Sequence, residues 1–292
     1  MSGGSVRVAA AQYPIEFLGS WDTYAAKIDR WVSEAAGNGA DILLFPEYAS
    51  IELTALFGAE VYSSLPRQLA ELQALLPDYL ALFGDLARRT GTHVCTGSYP
   101  VRHDDGRYTN RAYFFWPDGR YAWQEKLQMT RFERERWHVS PGAELEVFDT
   151  DHGRLAINVC YDSEFPLLAR RQVERGANLI LVPSCTDTDA GYNRVRIGCR
   201  ARALENQCYV AQAPTVGECE WSEAVDRNVG AAAIYTPVDY GFPADGVLAE
   251  GIMNAAMWVY ADLDLAAIAR VRESGQVFNY RDWEGQYAPL GA

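Results

Sequence analysis

The sequence predicts an α/β fold in a single domain, and three observations lead to this prediction. Apolar runs typical of strands alternate with segments of helical periodicity along nearly all of the 292 residues. Runs such as "DILLFPE" and "ANLILVPS" are apolar throughout, which indicates strands covered on both faces. No linker, repeat or shift in composition divides the chain. We therefore predict one domain over residues 1–292, with a core at about 6–272 and a C-terminal tail at about 273–292.

The predicted elements of the first half follow a regular order that ends in a hairpin. They are, in chain order, a strand at Val6–Gln12, a helix at Trp21–Ala36, a strand at Asp41–Glu47, a helical segment at 65–90 with a break expected at Pro77, a strand at 92–100 and a hairpin at 107–127. The hairpin turn is Pro117-Asp118-Gly119, a combination of residues that favours tight turns.

The second half continues the alternation of strands and helices. Its predicted elements are strands at 153–162, 177–184, 208–214, 230–237 and 256–264, and helices at 165–176, 192–207 and 265–273. Pro166 favours the start of the first of these helices, and Gly176 favours its end.

Composition limits the classes of partner. The net charge is −13, from 26 basic and 39 acidic residues, so a polyanion is repelled and we expect no nucleic-acid partner. The same charge mildly favours a cationic substrate, although acidic surfaces more often serve solubility alone. The start of the chain, "MSGGSVRVAAAQYP", reads as a strand rather than a signal, and no run of about 18 apolar residues occurs. We expect a cytoplasmic protein without membrane association.

The cysteines and histidines do not form a metal-binding pattern in the sequence. The six cysteines contain no C-x-x-C pair, and the four histidines show no ligand spacing with them. In a reducing compartment the cysteines are expected to be thiols, most of them small core residues. We therefore predict neither a metal site nor a cofactor.

Three predicted strands each end in a side chain that can take part in chemistry. "ILLFPE" ends in Glu47, "YAWQEK" in Lys126 and "LAINVC" in Cys160. Ligands of α/β sheets bind at the carboxyl ends of strands, so these three groups could converge there. Each also has an ordinary interpretation when taken alone. A strand-end cysteine is commonly core filler, a glutamate there commonly begins a helix, and a hairpin lysine is commonly a solvated charge.

Together, the three groups form a self-consistent site for nucleophilic acyl transfer. A thiol is a weak nucleophile until it loses its proton, which a nearby carboxylate can accept. A nearby ammonium favours the thiolate and can stabilise an oxyanion. A buried lysine in turn needs an acid beside it to remain charged.

The segments around these residues resemble the nitrilase superfamily of carbon–nitrogen hydrolases. The similar stretches are "LLFPEY", "EKLQMTRFE" and "NVCYDSEFP", which occur in the family's order, and the resemblance extends from about Val6 to about Arg272. It implies a four-layer α-β-β-α sandwich that pairs through helices into a homodimer or a higher homo-oligomer. It also implies that Glu47 is the general base, Cys160 the nucleophile and Lys126 the positive group at the oxyanion. The backbone N–H of Tyr161 would complete the oxyanion hole.

Many members of the superfamily carry a second glutamate between the lysine and a Pro-Gly turn. This chain offers Glu133 and Glu135 in "RFERERWHVSPG". Counted back from Pro141-Gly142, Glu135 fits the family's spacing better, and we predict that it is the second active-site glutamate.

Four further residues near these segments are candidates for the substrate pocket. Tyr48 and Cys185 follow strand ends and could line it. Asp162 and Glu164 could either cap the helix that follows Cys160 or select the substrate. Some members that act on carboxylated amides resemble a motif with arginine where this chain has Glu164. An acid there would repel a carboxylate and attract an amine, which favours a neutral or cationic amide.

The residues after the nucleophile favour amides over nitriles. True nitrilases usually show Trp-Glu at this place, whereas this chain has Tyr161-Asp162, as in the amidase branches. We predict hydrolysis of a small linear amide to a carboxylic acid and ammonia through a thioester at Cys160. Nitrile hydrolysis and N-carbamoyl hydrolysis are the alternatives, and a non-enzymatic binding member of the family is the alternative from a different class.

Overall fold

A computed structural model of the chain describes residues 5–287 and residue 289. The predicted domain of 1–292 and tail of 273–292 therefore include residues 1–4, 288 and 290–292, which lie outside the described residues. The strands in the described part are, in chain order, Val6–Pro14 (β1), Ile42–Leu44 (β2), His93–Arg102 (β3), Tyr108–Phe115 (β4), Tyr121–Glu125 (β5), Val139–Ser140 (β6), Phe148–Thr150 (β7), Gly153–Ile157 (β8), Leu179–Ser184 (β9), Tyr209–Glu218 (β10), Arg227–Asn228 (β11), Ala233–Tyr235 (β12), Val247–Glu250 (β13) and Met257–Leu263 (β14).

The helices lie between these strands. The α-helices in the described part are Trp21–Gly37 (α1), Ala59–Tyr62 (α2), Leu65–Leu72 (α3), Leu76–Thr90 (α4), Pro166–Glu174 (α5), Asp189–Asn206 (α6) and Leu265–Ser274 (α7). Two short segments matter for the site: a 3-10 turn at Cys160–Glu164 and a π-helical turn at Glu133–Trp137. None of the helices described is both long and apolar enough to cross a bilayer.

The strands form one curled sheet with two halves. The first half has the order β5-β4-β3-β2-β1, with β14 antiparallel to β1, and the second half has the order β10-β9-β8-β7. A short parallel register joins the halves, in which Tyr13 and Pro14 of β1 pair with Thr215 and Val216 of β10. The central strands β1, β2 and β3 are parallel, as are β8, β9 and β10.

The two halves pack face to face, and helices cover their outer faces. Phe114 of β4 and Phe148 of β7 meet across the inner layer with ring centroids 5.3 Å apart. Residues on the other face of the first half, such as Phe45 and Phe115, belong to a buried cluster with side chains of α1 and α4. The second half packs against α5 and α6 in the same way. This arrangement confirms the predicted α/β sandwich.

The predicted elements are present with different ends, and the described residues add short elements that were not predicted, among them α2, β6, β7, β11 and β13. The long helical segment is interrupted by a 3-10 turn at Gln73–Leu75, just before Pro77, and Pro77 lies in the first turn of α4. The strands predicted to reach Glu47 and Cys160 end earlier, at Leu44 and Ile157. Both functional side chains therefore lie in the turns that follow their strands.

Candidate active site

A buried cluster of one lysine and two glutamates lies at the carboxyl ends of the central strands. Lys126 follows β5 directly, and its Nζ donates to Glu47 Oε1 at 2.8 Å and to Glu133 Oε2 at 2.6 Å. All three side chains are at most 3% exposed. Two anions in contact with the ammonium offset the cost of burying its charge. Lys126 therefore remains a cation, and Nζ keeps a third N–H that neither glutamate uses.

Each glutamate has further donors that fix its orientation. Glu47 Oε1 also accepts from Asn110 Nδ2 at 2.9 Å, and Oε2 accepts from the backbone N–H of Cys185 at 3.1 Å. Glu133 Oε2 accepts from the backbone N–H and the hydroxyl of Thr130, and Oε1 accepts from the Tyr48 hydroxyl at 2.7 Å. Both carboxylates are thus positioned by the protein before any substrate arrives.

The turn that carries Glu47 depends on a close approach of β3. Gly97 in β3 has φ +75°, and a Cβ on it would lie 1.9 Å from the carbonyl oxygen of Pro46. Only glycine fits both the left-handed conformation and this contact. The next residue, Ser98, accepts the backbone N–H of Tyr48 at 3.0 Å. These contacts fix the backbone on both sides of Glu47.

Cys160 lies at a sharp turn between β8 and the 3-10 turn that it begins. Its φ is +48°, which is uncommon for a residue with a side chain and is typical of functional turns. The thiol is buried, and Sγ lies 3.8 Å from the backbone carbonyl oxygen of Cys185. The backbone N–H of Tyr161 belongs to the first turn of this short helix, where N–H groups have no partner inside the helix. That N–H is therefore a suitable donor to an oxyanion.

Asp162 holds the lysine loop and the cysteine turn together. Its buried carboxylate accepts the backbone N–H groups of Leu127 at 3.1 Å, Gln128 at 2.7 Å and Val159 at 3.2 Å. Because these bonds occupy both carboxylate oxygens, Asp162 has a structural role in this geometry and does not face the cavity. None of these N–H groups belongs to the helix at Pro166–Glu174, so Asp162 does not cap that helix, which was one of the two interpretations left open by the sequence.

The environments of the two glutamates move their pKa values apart. Burial raises the pKa of Glu47 and outweighs the lowering by Lys126. Burial also acts to raise the pKa of Glu133, but Lys126, the Tyr48 hydroxyl and the Thr130 N–H outweigh it and lower that pKa. Burial, followed by the charge of Glu47, raises the pKa of the Cys160 thiol well above its usual value. Glu47 is therefore the carboxylate better suited to accept a proton, and the resting cysteine is a thiol.

These groups line one cavity of about 450 Å³, a size that suits a small molecule. Glu47, Lys126, Glu133 and Cys160 lie on its wall, with Tyr48, Tyr161, Glu164 and Cys185 around them. Tyr48 packs on Trp137 with ring centroids 4.6 Å apart. Glu164 is half-buried, and its Oε1 lies 3.6 Å from Nε of the exposed Arg194.

Glu133, and not the predicted Glu135, lies beside Lys126 in the structure. Glu135 is exposed, does not line the cavity and accepts from Nε of the still more exposed Arg131 at 2.8 Å. The residues between the lysine and the Pro-Gly turn form a π-helical turn, in which Glu133 and Trp137 point inward and the three residues between them point outward. Counting back from Pro141-Gly142 selected Glu135, whereas the glutamate that contacts Lys126 in the structure is Glu133. The helical spacing of Glu133 and Trp137, with arginines between them, was the signal in the sequence.

A sequence profile described as carbon-nitrogen hydrolase matches residues 7–273. The chain belongs to the carbon–nitrogen hydrolase family. The predicted resemblance to the nitrilase superfamily is thus confirmed.

Known relatives of this carbon–nitrogen hydrolase include bacterial and animal proteins. The chain is 36% identical over 277 residues to "Probable hydrolase YhcX" of Bacillus subtilis, which covers 95% of this chain and 53% of that protein. The chain therefore spans about half the length of that relative. It is 27% identical over 290 residues to "Omega-amidase NIT2" of Homo sapiens, with 95% of each chain covered. Among solved structures, an amidase of the nitrilase superfamily from Nesterenkonia AN1 superimposes with a TM-score of 0.70 at 25% identity, covering 95% of this chain and 97% of that one.

Two residues in the site of this carbon–nitrogen hydrolase, Asn110 and Thr130, were not predicted from the sequence. Asn110 donates to Glu47, and its Nδ2 also lies 3.4 Å from Glu133 Oε1. Thr130 holds Glu133 through two hydrogen bonds. Asn110 lies within β4, and a polar residue in a hairpin strand is normally predicted to face solvent, so the sequence did not indicate its role. The signal for Thr130 was its spacing of three residues from Glu133, as at the start of a helix.

Proposed function

We propose that this carbon–nitrogen hydrolase cleaves the amide bond of a small molecule to a carboxylic acid and ammonia, with Cys160 as the nucleophile. The observation that carries the proposal is the buried Glu47–Lys126–Glu133 cluster beside a thiol held at a left-handed turn. The relatives named omega-amidase and amidase support amides as the substrate class. Another structure of the Nesterenkonia amidase carries the product of Michael addition of acrylamide at its active-site cysteine.

In the proposed acylation step, Glu47 accepts the proton of the Cys160 thiol as Sγ attacks the amide carbon. The carbonyl oxygen becomes an oxyanion, which receives the third N–H of Lys126 Nζ and the backbone N–H of Tyr161. Glu47 then gives its proton to the leaving nitrogen as the C–N bond breaks. Ammonia departs, and the acyl group remains on Cys160 as a thioester.

In the proposed deacylation step, Glu47 acts as a base a second time. It accepts a proton from water as the water oxygen attacks the thioester carbon, and the same two donors hold the oxyanion. The C–S bond breaks, the proton returns to sulfur, and a carboxylic acid leaves. Glu133 keeps Lys126 charged and oriented through both steps without exchanging a proton.

Among the residues that the structure describes, acidic side chains outnumber basic ones on the cavity wall, six to four, which favours a neutral or cationic amide. The acids are Glu47, Glu133, Glu164, Asp187, Glu223 and Asp226, and the bases are Lys126, Arg131, Arg194 and Arg227. Glu164 lies on the wall, and its partner Arg194 is 3.6 Å away and exposed, so the pair neutralises it only weakly. Burial raises the pKa of Glu164, against the lowering by Arg194 and Lys126. We expect Glu164→Arg to weaken the selectivity for cationic over anionic amides. Unchanged charge selectivity would show that Glu164 does not read the substrate.

A panel of small amides, nitriles and N-carbamoyl compounds, assayed for ammonia release, tests the proposal. We expect amides to be the best substrates and the activity of Cys160→Ala to fall to background. Cys185→Ala is the matched control, because Cys185 contributes its backbone N–H and carbonyl to the site rather than its thiol. Preference for nitriles or N-carbamoyl compounds would show that the enzyme hydrolyses those substrates instead of amides. Equal inactivity of wild type and Cys160→Ala across the panel would favour the binding function.

We also propose that the protein works in the cytoplasm. All six cysteines lie within the described residues and are free, which fits a reducing compartment such as the cytoplasm. We also propose that the chain works as a homodimer or a higher homo-oligomer.

A further inference from the structure

A buried histidine at the start of β3 has no hydrogen-bond partner for its ring. His93 is 1% exposed, and neither Nδ1 nor Nε2 is hydrogen-bonded to any residue that the structure describes. Its ring stacks on Phe114 in the layer between the two halves of the sheet. A buried imidazole normally donates from one nitrogen and accepts at the other. Here Nε2 has only a close carboxylate contact whose geometry is not that of a hydrogen bond.

Two more ligand-type side chains lie beside this ring. Asp151 Oδ1 is 3.3 Å from His93 Nε2 and 3.8 Å from His152 Nε2. The ligand atoms of all three residues lie within 4.8 Å of one another. Ligands about 2.0–2.2 Å from a tetrahedral metal lie about 3.3–3.6 Å apart, which is close to the spacing seen here. Asp151 is exposed and His152 is partly exposed, so both can rotate to close the wider distances.

The cluster lies at the opposite end of the strands from the thiol. His93 pairs with Ile42 at the first residue of β2, whereas Glu47 follows the far end of that strand. His152 precedes β8, and Cys160 comes eight residues after His152. Eight residues of extended chain span about 25 Å. A ligand bound here would not touch the reacting atoms.

We propose that His93, Asp151 and His152 form a binding site for a divalent zinc ion. Two imidazoles and one carboxylate are a ligand set that zinc accepts, with a fourth position left for water. The ion would join β3 of the first half of the sheet to the turn between β7 and β8 of the second half. It would therefore stabilise the packing of the two halves without taking part in amide hydrolysis.

Zinc titration of the untagged 292-residue chain after treatment with a chelator tests this site. We expect isothermal titration calorimetry to give one equivalent of bound zinc and the melting temperature to rise with zinc. His152→Ala and Asp151→Ala should each weaken zinc binding by at least about 10–100-fold, the loss seen when even an outer partner of a metal ligand is removed. These two residues are at least partly exposed, so the variants should fold even if His93→Ala does not.

Two controls separate this site from other binders of zinc. His138→Asn removes an exposed histidine elsewhere and should leave zinc affinity unchanged; asparagine tolerates the φ of +58° at that position. Cys160→Ala removes the active-site thiol and should also leave the affinity unchanged. Absence of stoichiometric zinc binding to the wild type would overturn the proposal. Wild-type affinity in His152→Ala would do the same, as would loss of binding in Cys160→Ala alone.

Discussion

Glu47 and Glu133 are both buried and both bonded to Lys126, yet their surroundings give them different tasks. Besides Lys126, Glu133 accepts from two donors of Thr130, from the Tyr48 hydroxyl and, at 3.4 Å, from Asn110 Nδ2, and its pKa is lowered. Glu47 has fewer strong donors, and burial raises its pKa. A proton can therefore move to and from Glu47, while Glu133 remains an anion that holds Lys126.

At the scale of single residues, separate replacement of Glu133 and of Glu135 by glutamine gives a matched pair of variants. We expect Glu133→Gln to lower kcat/KM by roughly 10²-fold, a loss similar to that of an oxyanion donor, because Lys126 loses the anion that orients it. Glu135→Gln should keep the wild-type kcat/KM, since Glu135 bonds only the exposed Arg131. Steady-state kinetics on the same amide measure both. The reverse pattern would restore Glu135 as the second glutamate of the site.

The raised pKa of Glu47 predicts the pH dependence of the reaction. As the pH falls through this raised pKa, Glu47 becomes protonated and can no longer accept the thiol proton. We expect kcat/KM to fall on the acid side at a pH above 4.5, the ordinary value for a glutamate. The two glutamates raise the pKa of Lys126 well above its usual value against the effect of burial, so no fall is expected up to about pH 9.

Protonation of Asp162 could also lower kcat/KM at acid pH and so be mistaken for protonation of Glu47. Burial raises the pKa of Asp162 to about 7. The pH–rate profile of Asp162→Asn therefore serves as the control, and we expect its acid limb to persist. Disappearance of the limb in this variant would assign it to Asp162 and contradict the assignment to Glu47.

At the scale of elements, the turns after the strands carry the site. The apolar runs predicted strands that reach Glu47 and Cys160, but these strands end earlier, at Leu44 and Ile157. The chain instead turns through left-handed residues, Tyr48 and Cys160. Hydrophobic periodicity predicts strands and helices, but it does not predict such left-handed turns. The same limit explains the choice between Glu133 and Glu135, which depended on a π-helical turn.

The contacts of Asp162 predict that its turn and the lysine loop lose stability together. Asp162→Ala leaves three backbone N–H groups without their acceptor, and a buried unsatisfied donor costs about 1–3 kcal/mol. We expect a clear fall in the free energy of unfolding, measured by urea denaturation, and a loss of activity. Glu164→Ala, in the same 3-10 turn but half-buried and weakly paired, should change the stability little. Equal stability of the two variants would show that Asp162 does not join the two segments.

At the scale of the whole molecule, the sequence predicted the layers and the family but not every meeting of distant residues. Alternating strands and helices predicted an α/β domain, and the apolar strands required cover on both faces by helices or by another sheet. The four-layer sandwich was implied by the resemblance to the nitrilase superfamily. The resemblance then placed Glu47, Lys126 and Cys160 in one site, where the structure brings them together. His93 and His152 are 59 positions apart, and no local pattern could show that the two halves of the sheet bring them together.

The exposed faces of α5 and α6 predict how copies of the chain associate. Leu167 of α5 is 61% exposed, and Ile197 and Leu204 of α6 are 65% and 43% exposed. Ile197 and Leu204 are seven residues apart and so share one helix face. We expect light scattering after gel filtration to show a dimer or larger oligomer that Ile197→Arg dissociates. Phe17→Arg, at an exposed aromatic in the loop after β1, should leave the mass unchanged; a monomeric wild type would contradict this interface.

The proposed mechanism requires a covalent acyl group at Cys160. Rapid-quench mass spectrometry of the intact protein during turnover of its best amide measures this directly. We predict a transient mass increase equal to the acyl group, located on the peptide that contains Cys160 and absent in Cys160→Ala. Steady release of ammonia by Cys160→Ala at the wild-type rate would contradict the account, as would turnover in which no protein-bound acyl group forms at any time.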